Sequence, residues 1–348
     1  MEQTKSRRYI LGAAICLLVI AGVVYFYFFT SLSSKNDTEY VYIDDDDNVD
    51  SVYLKLKPIA NSSSFHAFKT LVRHTSYADH IRTGRFAIKP GQGAFVTFRH
   101  MKNGLQEPVN VTIPSVRTIA DMAHAVSQKL MINEKQLYDS LTNETFCKKY
   151  GYNTETIACI FIPNTYDMYW NASISKFMDR MKKESDNFWN SERMAKAKAM
   201  NFTPEMVITL ASIVDEETAN NGEKPMVAGM YYNRLVFRDG EYPQGMPLQA
   251  YPTIKFAWKA FDLKRIYNKL LYIDSPYNTY KNTGLPPGPI RIPSVAGIDA
   301  VLNHVKHNYL YMCAKEDFSG THNFAVTYAE HLQNAARYSK ALNERGIK

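Results

Sequence analysis

The stretch Thr203-Pro-Glu-Met-Val-Ile-Thr-Leu-Ala-Ser-Ile-Val-Asp-Glu-Glu-Thr-Ala-Asn220 predicts a helix with a carboxyl group on its apolar side. It opens with Thr203, a residue type that caps helix N-termini, and with a proline at the first helical position. Apolar residues then recur every three or four positions and form one stripe, namely Met206, Val207, Leu210, Ile213 and Val214. Because each residue adds about 100° of rotation, Glu217 falls near the centre of this stripe.

A carboxyl group in this position has two explanations. Burial disfavours the charged form and raises the pKa, and a raised pKa is what a general acid needs near neutral pH. Alternatively, Glu217 is a boundary residue whose carboxylate reaches water or pairs with a lysine or arginine. The neighbouring Asp215 and Glu216 point towards polar surroundings on the same wheel, so Glu217 is the candidate general acid.

Four further stretches follow this helix, and their order is informative. They are Val227-Ala-Gly-Met-Tyr-Tyr-Asn-Arg-Leu235, Met246-Pro-Leu-Gln-Ala-Tyr-Pro-Thr253, Ser275-Pro-Tyr-Asn-Thr-Tyr280 and Gly284-Leu-Pro-Pro-Gly-Pro-Ile290. Together with Leu210-Ala-Ser-Ile-Val-Asp-Glu-Glu-Thr218, this ordered set resembles the endolytic murein transglycosylases, also called the YceG-like family. Tyr309-Leu-Tyr-Met-Cys-Ala314 and Gly320-Thr-His-Asn-Phe324 are similar to the closing strand and loop of that family.

The resemblance implies a membrane-anchored enzyme that cuts nascent peptidoglycan glycan strands and so terminates their elongation. The family's catalytic glutamate is the last acid of the helical motif, which is Glu217 here. The resemblance implies that this one residue protonates the glycosidic oxygen between N-acetylmuramic acid and N-acetylglucosamine. The resulting carboxylate then accepts the proton of the muramoyl C6 hydroxyl, which leaves a 1,6-anhydromuramoyl end. No cofactor or metal is expected.

Polar side chains in the other motifs are the candidates for orienting the sugar. They are Gln249, Tyr277, Asn278, Thr279, Tyr280 and His322. Amide groups of Gln and Asn both donate and accept hydrogen bonds, which suits sugar hydroxyl and acetamido groups. The alternative for residues 277–280 is a turn held by the asparagine side chain. The loop 284–288 is expected to be rigid because of its prolines, with Asn233 and Arg234 bracing the cleft.

One position departs from the family pattern. Tyr251 stands where the Leu-Gln-X-Asp-Pro-Thr motif has an aspartate, a residue that the resemblance implies would orient substrate or shape the loop. Two other functions stay open, the second of them because of Tyr251. One is a muramidase-type hydrolase in which Asp215 or a distant carboxylate activates water, and the other is an anchored peptidoglycan-binding or scaffold protein without turnover.

The N-terminus predicts a membrane anchor. Residues 9–29 contain no charged side chain, and about 21 residues at ~1.5 Å each cross the ~30 Å hydrocarbon core. Lys5, Arg7 and Arg8 precede this segment and an acidic run follows it, so the positive-inside rule places residues 1–8 in the cytoplasm and the rest outside the inner membrane. The alternative is a cleaved signal peptide, but no small-X-small site follows cleanly.

The remainder of the chain is expected to be α+β. We predict a linker over 30–50, a small LysM-like α/β domain or structural spacer over 51–117, a helical connection over 118–160 and a catalytic domain over 161–348. Within these domains we expect a strand over 51–56, one long helix over 172–200 and a C-terminal helix over 328–345.

Composition excludes some classes of partner and site. The net charge is +7, but no Lys/Arg stripe or known motif indicates nucleic-acid binding; a mildly basic surface suits the carboxylates of peptidoglycan. The family also implies wall synthases as partners. Cys147 and Cys159 are predicted to be buried thiols or, alternatively, a disulfide. Tyr166 and Trp170 are candidates for sugar stacking or for the core.

Overall fold

The computed structural model describes residues 2–263 and 267–346, and this part of the chain is a helix-rich α+β structure. The helices are α1 (Glu2–Phe29), α2 (Val49–Leu56), α3 (Ser62–Arg73), α4 (Ala94–Asn103), α5 (Ile119–Ser127), α6 (Glu134–Leu141), α7 (Glu144–Lys148), α8 (Ile174–Phe188), α9 (Ser191–Ala199), α10 (Pro204–Glu217), α11 (Lys224–Val236), α12 (Tyr251–Ala257), α13 (Val295–Leu302) and α14 (Tyr328–Glu344). The strands are β1 (Glu39–Ile43), β2 (Gly84–Ile88), β3 (Val109–Ile113), β4 (Asn164–Met168), β5 (Tyr311–Ala314) and β6 (His322–Ala325). The predicted fold class is confirmed.

Within the described ranges, the strands form three two-stranded sheets, β1 with β2, β3 with β4 and β5 with β6. Met1 of the predicted cytoplasmic tail lies outside the described residues. So do residues 264–266, 347 and 348 of the predicted catalytic domain.

Helix α1 carries the predicted membrane segment. Ser6–Phe29 is long and apolar enough to cross a bilayer, and the most apolar part of this segment is not buried in the protein. This helix fits a single-pass membrane anchor.

The chain divides into two compact units. Unit 1 comprises the residues up to Val111 together with 129–132 and 167–173, and unit 2 comprises 112–128, 133–166 and the residues from 174 onward. The helices α5 to α7, predicted as a separate connection, therefore belong to the same unit as α10 and the later motifs.

In unit 1, the linker predicted over residues 30–50 is wrong. Residues 39–43 form β1, which pairs antiparallel with β2 so that Glu39 lies opposite Ile88 and Ile43 opposite Gly84. Leu32, Val41 and Ile43 are buried in the core. The alternation of Tyr and Val/Ile in β1 is typical of a half-buried strand, but the acidic run that follows obscures it.

The strand predicted over residues 51–56 is also wrong, because these residues belong to α2. The side chain of Asn48 caps this helix by accepting hydrogen bonds from the backbone of Asp50 and Ser51. Val52 and Leu56 are then buried one helical turn apart. The cap and the four-residue spacing prevail over the β-propensity of the short apolar run.

In unit 2, the core is built around α10, which packs against α11 and α13. The apolar stripe predicted an amphipathic helix with one buried face. Every residue from Val207 to Val214 is buried instead, so the middle turns of α10 lie inside the core. The single long helix predicted over 172–200 is instead the pair α8 and α9. Asn190 separates them and caps α9 by accepting a hydrogen bond from the Arg193 amide at 3.0 Å.

Candidate active site

A cavity of about 440 Å³ in unit 2 brings together four of the seven predicted site residues, Glu217, Gln249, Tyr280 and His322. They come from the end of α10, the loops before and after α12, and the start of β6. Residues more than 100 positions apart in the chain thus face one space. Tyr231, Arg234, Tyr251 and His331 also line it.

Glu217 is the last residue of α10, and its side chain is half-buried. Its Oε1 accepts a hydrogen bond of 2.6 Å from the hydroxyl of Tyr231. Burial raises the pKa of the Glu217 carboxyl, whereas the Tyr231 hydrogen bond and the nearby charges of His322 and Arg234 oppose the rise. The predicted direction of the pKa shift is therefore found, and desolvation is its main cause.

Asp215 is held away from this cavity by a buried ion pair. Its carboxylate lies 2.8 Å from the ammonium of Lys224, and both side chains are less than a tenth exposed. Ser294 donates to the same carboxylate through its backbone amide at 2.5 Å and its hydroxyl at 3.1 Å. Each oxygen of Asp215 thus has a hydrogen-bond or ion-pair partner, and the side chain is polar in its contacts but shielded from solvent.

Glu216 is also paired with cations. Arg117 donates to both of its oxygens, at 2.9 and 3.0 Å, and Arg291 donates to Oε1 at 2.8 Å. In the described part of the chain, Glu217 is the one acid of this triplet without an ion pair. The helical periodicity predicted that Glu217 differs from Asp215 and Glu216 in its surroundings, as the structure shows. Asp215 and Glu216, however, are held by lysine and arginine partners and not by solvent.

Tyr231 is a site residue that the sequence did not single out. It lies on α11 and is 2 % exposed, and burial raises its pKa well above the usual range, so the phenol remains a hydrogen-bond donor. The adjacent Tyr232 instead packs against Phe202 and His304. Two consecutive tyrosines look alike in sequence, and only the rotation of α11 distinguishes them.

Arg234 braces the loop that carries Gln249. Its guanidinium is buried and donates to the carbonyls of Leu310 and Leu248 at 2.6 and 2.8 Å and to Gln249 Oε1 at 3.4 Å. No carboxylate pairs with it among the residues described, so its positive charge remains uncompensated beside Glu217.

Gln249 is exposed and has a φ of 49°, in the left-handed region that is unusual for a residue other than glycine. Its backbone amide donates to the Thr279 carbonyl at 3.0 Å, and the Thr279 hydroxyl accepts from the Ala250 amide at 3.0 Å. The strained backbone turns the Gln249 side chain into the cavity, and Thr279 holds it there.

Tyr277, Asn278 and Thr279 do not line the cavity of Glu217. Asn278 is fully buried and donates to the carbonyls of Leu271 and Ile273, each at 2.8 Å, while its Oδ1 accepts from the Tyr280 amide. The direct sugar contacts predicted for these residues are therefore not supported by their positions. Asn278 instead forms the turn that was the alternative.

Tyr277 packs against Phe256, with ring centroids 4.7 Å apart. It lines a different cavity of about 480 Å³. Burial raises its pKa to about 12. Tyr277 is partly buried and packs against the core of unit 2.

His322 is fixed by a second buried acid, Glu223, which the sequence did not indicate. The His322 backbone amide donates to Glu223 Oε1 at 2.6 Å, and its Nδ1 donates to Oε2 at 3.0 Å. Glu223 is 8 % exposed and precedes α11. The pair places an oriented imidazole in the wall of the cavity.

Tyr251, at the position that departs from the family pattern, stacks on Tyr280. The ring centroids are 5.8 Å apart and the planes differ by 23°. Tyr251 is 51 % exposed, so one side of this pair is open at the cavity. An aromatic surface therefore stands where the motif has an aspartate.

The other residues considered in the sequence analysis have structural roles. Tyr166 is 6 % exposed and donates to the Ile162 carbonyl at 2.7 Å, as its core interpretation predicted. Cys147 and Cys159 are free and buried, which confirms the thiol interpretation. Across residues 2–263 and 267–346, no group of three or more His, Cys, Asp or Glu side chains is arranged to hold a metal ion.

Comparisons with known proteins identify a family and relatives for this chain. The sequence profile of the YceG-like family matches residues 41–337. A Bacillus subtilis protein named endolytic murein transglycosylase is 32 % identical over 213 residues, which cover 61 % of this chain and 55 % of that protein. A protein of the same name from Streptococcus pneumoniae serotype 2 is 27 % identical over 301 residues, 78 % of this chain and 53 % of that one. The chain thus spans about half the length of these relatives.

The crystal structure of a yceG-like protein from Listeria monocytogenes matches 86 % of this chain and 99 % of its own, with a TM-score of 0.55 and 23 % identity. At this identity the match shows the fold alone. The profile match, however, extends over most of the sequence and includes both units. The chain belongs to the YceG-like family.

Proposed function

We propose that this protein is an endolytic murein transglycosylase that cleaves peptidoglycan glycan strands between N-acetylmuramic acid and N-acetylglucosamine. The observation that carries the proposal is a single half-buried carboxyl, Glu217, with a raised pKa in a cavity lined by polar side chains. Two relatives that bear this enzyme's name add support.

In this proposal, Glu217 is protonated when the strand binds. It gives its proton to the glycosidic oxygen as the bond to muramoyl C1 breaks. The C6 hydroxyl closes on C1, and the Glu217 carboxylate accepts the proton of that hydroxyl. The product ends in 1,6-anhydromuramic acid, and no water is consumed. Tyr231 would stabilise the Glu217 carboxylate after proton transfer, and Gln249 would orient the sugar.

The hydrolase alternative needs a second carboxylate to activate water or to act as nucleophile. Asp215 and Glu216 are occupied by Lys224 and by two arginines. Within the described residues, the cavity wall contains one carboxyl side chain, that of Glu217. This arrangement favours the lytic reaction, in which the sugar supplies its own nucleophile.

The setting of the reaction is part of the same proposal. Helix α1 would anchor the protein in the inner membrane with its N-terminus in the cytoplasm, because basic residues precede the apolar segment. Unit 1, with its order β1, α2, α3 and β2, would be the LysM-like module that holds glycan. Cleavage of nascent strands near wall synthases would make the enzyme a terminase of strand elongation.

The test is mass spectrometry of purified peptidoglycan digested by the full chain in detergent. We expect 1,6-anhydromuramoyl ends from the wild type and none from Glu217→Gln, since general acid catalysis contributes about 10²- to 10⁴-fold. Glu216→Gln is the matched control and should still produce them. Reducing ends would indicate the hydrolase, and the absence of any product would indicate the binding role.

A further inference from the structure

A second group that can move a proton faces the same cavity as Glu217. His322 lies at the start of β6, and its side chain is 17 % exposed. The carboxylate of Glu223 accepts from both its backbone amide and its Nδ1. Glu223 therefore holds His322 through its backbone and through its ring, and the imidazole cannot turn freely.

This clamp decides which ring nitrogen is available. A carboxylate only accepts hydrogen bonds, so Nδ1 carries a proton towards Glu223, and in the neutral ring Nε2 keeps its lone pair. A buried carboxylate that accepts from Nδ1 also fixes the orientation of the imidazole. No protein partner to Nε2 is found in the described ranges. The free nitrogen belongs to a side chain that lines the cavity.

The carboxylate that Glu217 leaves after donating its proton is already held by neighbouring groups. The Tyr231 hydroxyl donates to its Oε1 at 2.6 Å, and the charge of Arg234 also favours the carboxylate form. Both interactions oppose the rise in pKa that burial causes. Oε1 is thus occupied by Tyr231, whereas Nε2 of His322 is open to the cavity. The other titratable groups that line the same cavity are Tyr251, Tyr280, Cys313, His331 and Tyr338.

We propose that His322, oriented by Glu223, is the base that takes the proton of the C6 hydroxyl. This rests on the proposed function and replaces only its second proton transfer. The Glu217 proton goes to the leaving glycosidic oxygen as the C1–O bond breaks. O6 bonds to C1, and the proton of O6 goes to Nε2 of His322. After product release, the imidazolium proton returns to Glu217 through water, which restores both groups.

The experiment is chemical rescue in the full-length protein. His322→Ala should lower kcat about 10²- to 10⁴-fold, and added imidazole should restore anhydro-product formation in proportion to its concentration. Substituted imidazoles of different basicity should rescue in the order of their basicity. His331→Ala is the matched control, since it also opens space beside the cavity. Whatever activity it retains should not rise with imidazole.

His322→Gln provides a second readout that keeps the backbone bond to Glu223. If His322 is the base, wild-type kcat falls at low pH as the imidazole gains a proton and at high pH as Glu217 loses one. His322→Gln then removes the fall at low pH. A low-pH fall that persists in this variant would overturn the proposal, as would an increase in KM alone or a failure of every imidazole to rescue.

The wild-type digest separates this proposal from the proposed function. Reducing ends from the wild type would contradict lytic chemistry whatever His322 does. Imidazole rescue of that hydrolysis would still support His322 as the base, acting on water. Anhydro ends from the wild type without rescue of His322→Ala would overturn the base assignment and leave the function intact.

Discussion

The hydroxyl of Tyr231 donates a 2.6 Å hydrogen bond to Oε1 of Glu217. It connects α11 to the end of α10 and lowers a pKa that burial raises. A charge-assisted hydrogen bond of this length favours the ionised acceptor. Tyr231 therefore limits how far desolvation raises the pKa of the candidate acid.

Tyr231→Phe should raise the pKa of Glu217 further, because it removes the donor and leaves the desolvation in place. Activity should then persist to higher pH, where the wild-type carboxyl is already ionised. The pH dependence of kcat measures this shift. Tyr232→Phe is the matched control on the same helix, and an unchanged high-pH limb in Tyr231→Phe would contradict the assigned role.

Glu217→Gln should change how stability depends on pH. A carboxyl whose pKa is higher in the folded state binds more protons folded than unfolded at intermediate pH, so the unfolding free energy falls as pH rises through that range. The wild type should thus lose stability between the ordinary glutamate pKa and the raised one. Glu217→Gln should lack this loss. Urea unfolding of both proteins at acidic and neutral pH would measure it, and parallel curves would refute the raised pKa.

Asp215→Asn should destabilise the protein by about 3–5 kcal/mol, because it leaves the buried Lys224 ammonium without its counter-charge. The exposed pair of Lys135 and Asp139 on α6 is the matched control, and Asp139→Asn should cost less than about 1 kcal/mol. Denaturant unfolding compares the two. Equal effects would mean that the Asp215 pair is effectively solvated.

Tyr251→Ala should weaken glycan binding if the stacked face of Tyr251 and Tyr280 contacts a sugar ring, while Tyr251→Phe should retain it. Aromatic stacking contributes about 0.5–1.5 kcal/mol, so we expect a modest increase in KM with little change in kcat. N-acetylglucosamine oligomers titrated into Glu217→Gln protein would measure binding alone. Equal affinity of the Ala and Phe variants would exclude a role for the ring.

Gly288→Ala should destabilise unit 2. A Cβ at this position would lie 2.1 Å from the backbone carbonyl oxygen of Glu155, and an overpacked site of this kind typically costs about 1–3 kcal/mol. Gly240→Ala is the control, since no atom lies within 4 Å of its added Cβ. Thermal unfolding of both variants tests it, and an unchanged melting temperature for Gly288→Ala would show that the loop can move aside.

The sequence motifs predicted some of the residues that line the cavity and some that only hold its loops. Glu217, Gln249, Tyr280 and His322 came from motifs and do share one cavity. Asn278 and Thr279 came from the same motif but are buried, because their side chains hold neighbouring loops: Asn278 donates to the Leu271 carbonyl and Thr279 accepts from the Ala250 amide. A motif marks residues that matter near a site without distinguishing those that touch the ligand from those that hold the loop.

The sequence by itself determined the helix with its acidic end, the apolar N-terminal segment and the α+β class. Each of these depends on local periodicity, capping or composition. Only the tertiary structure decided which partners Asp215, Glu216 and Glu217 have, and that Tyr231 and Glu223 belong to the site. Ion pairs such as Glu216 with Arg117 join residues 99 positions apart. Such contacts form only when the packing of α10 against its neighbours brings distant side chains together, and no local pattern records them.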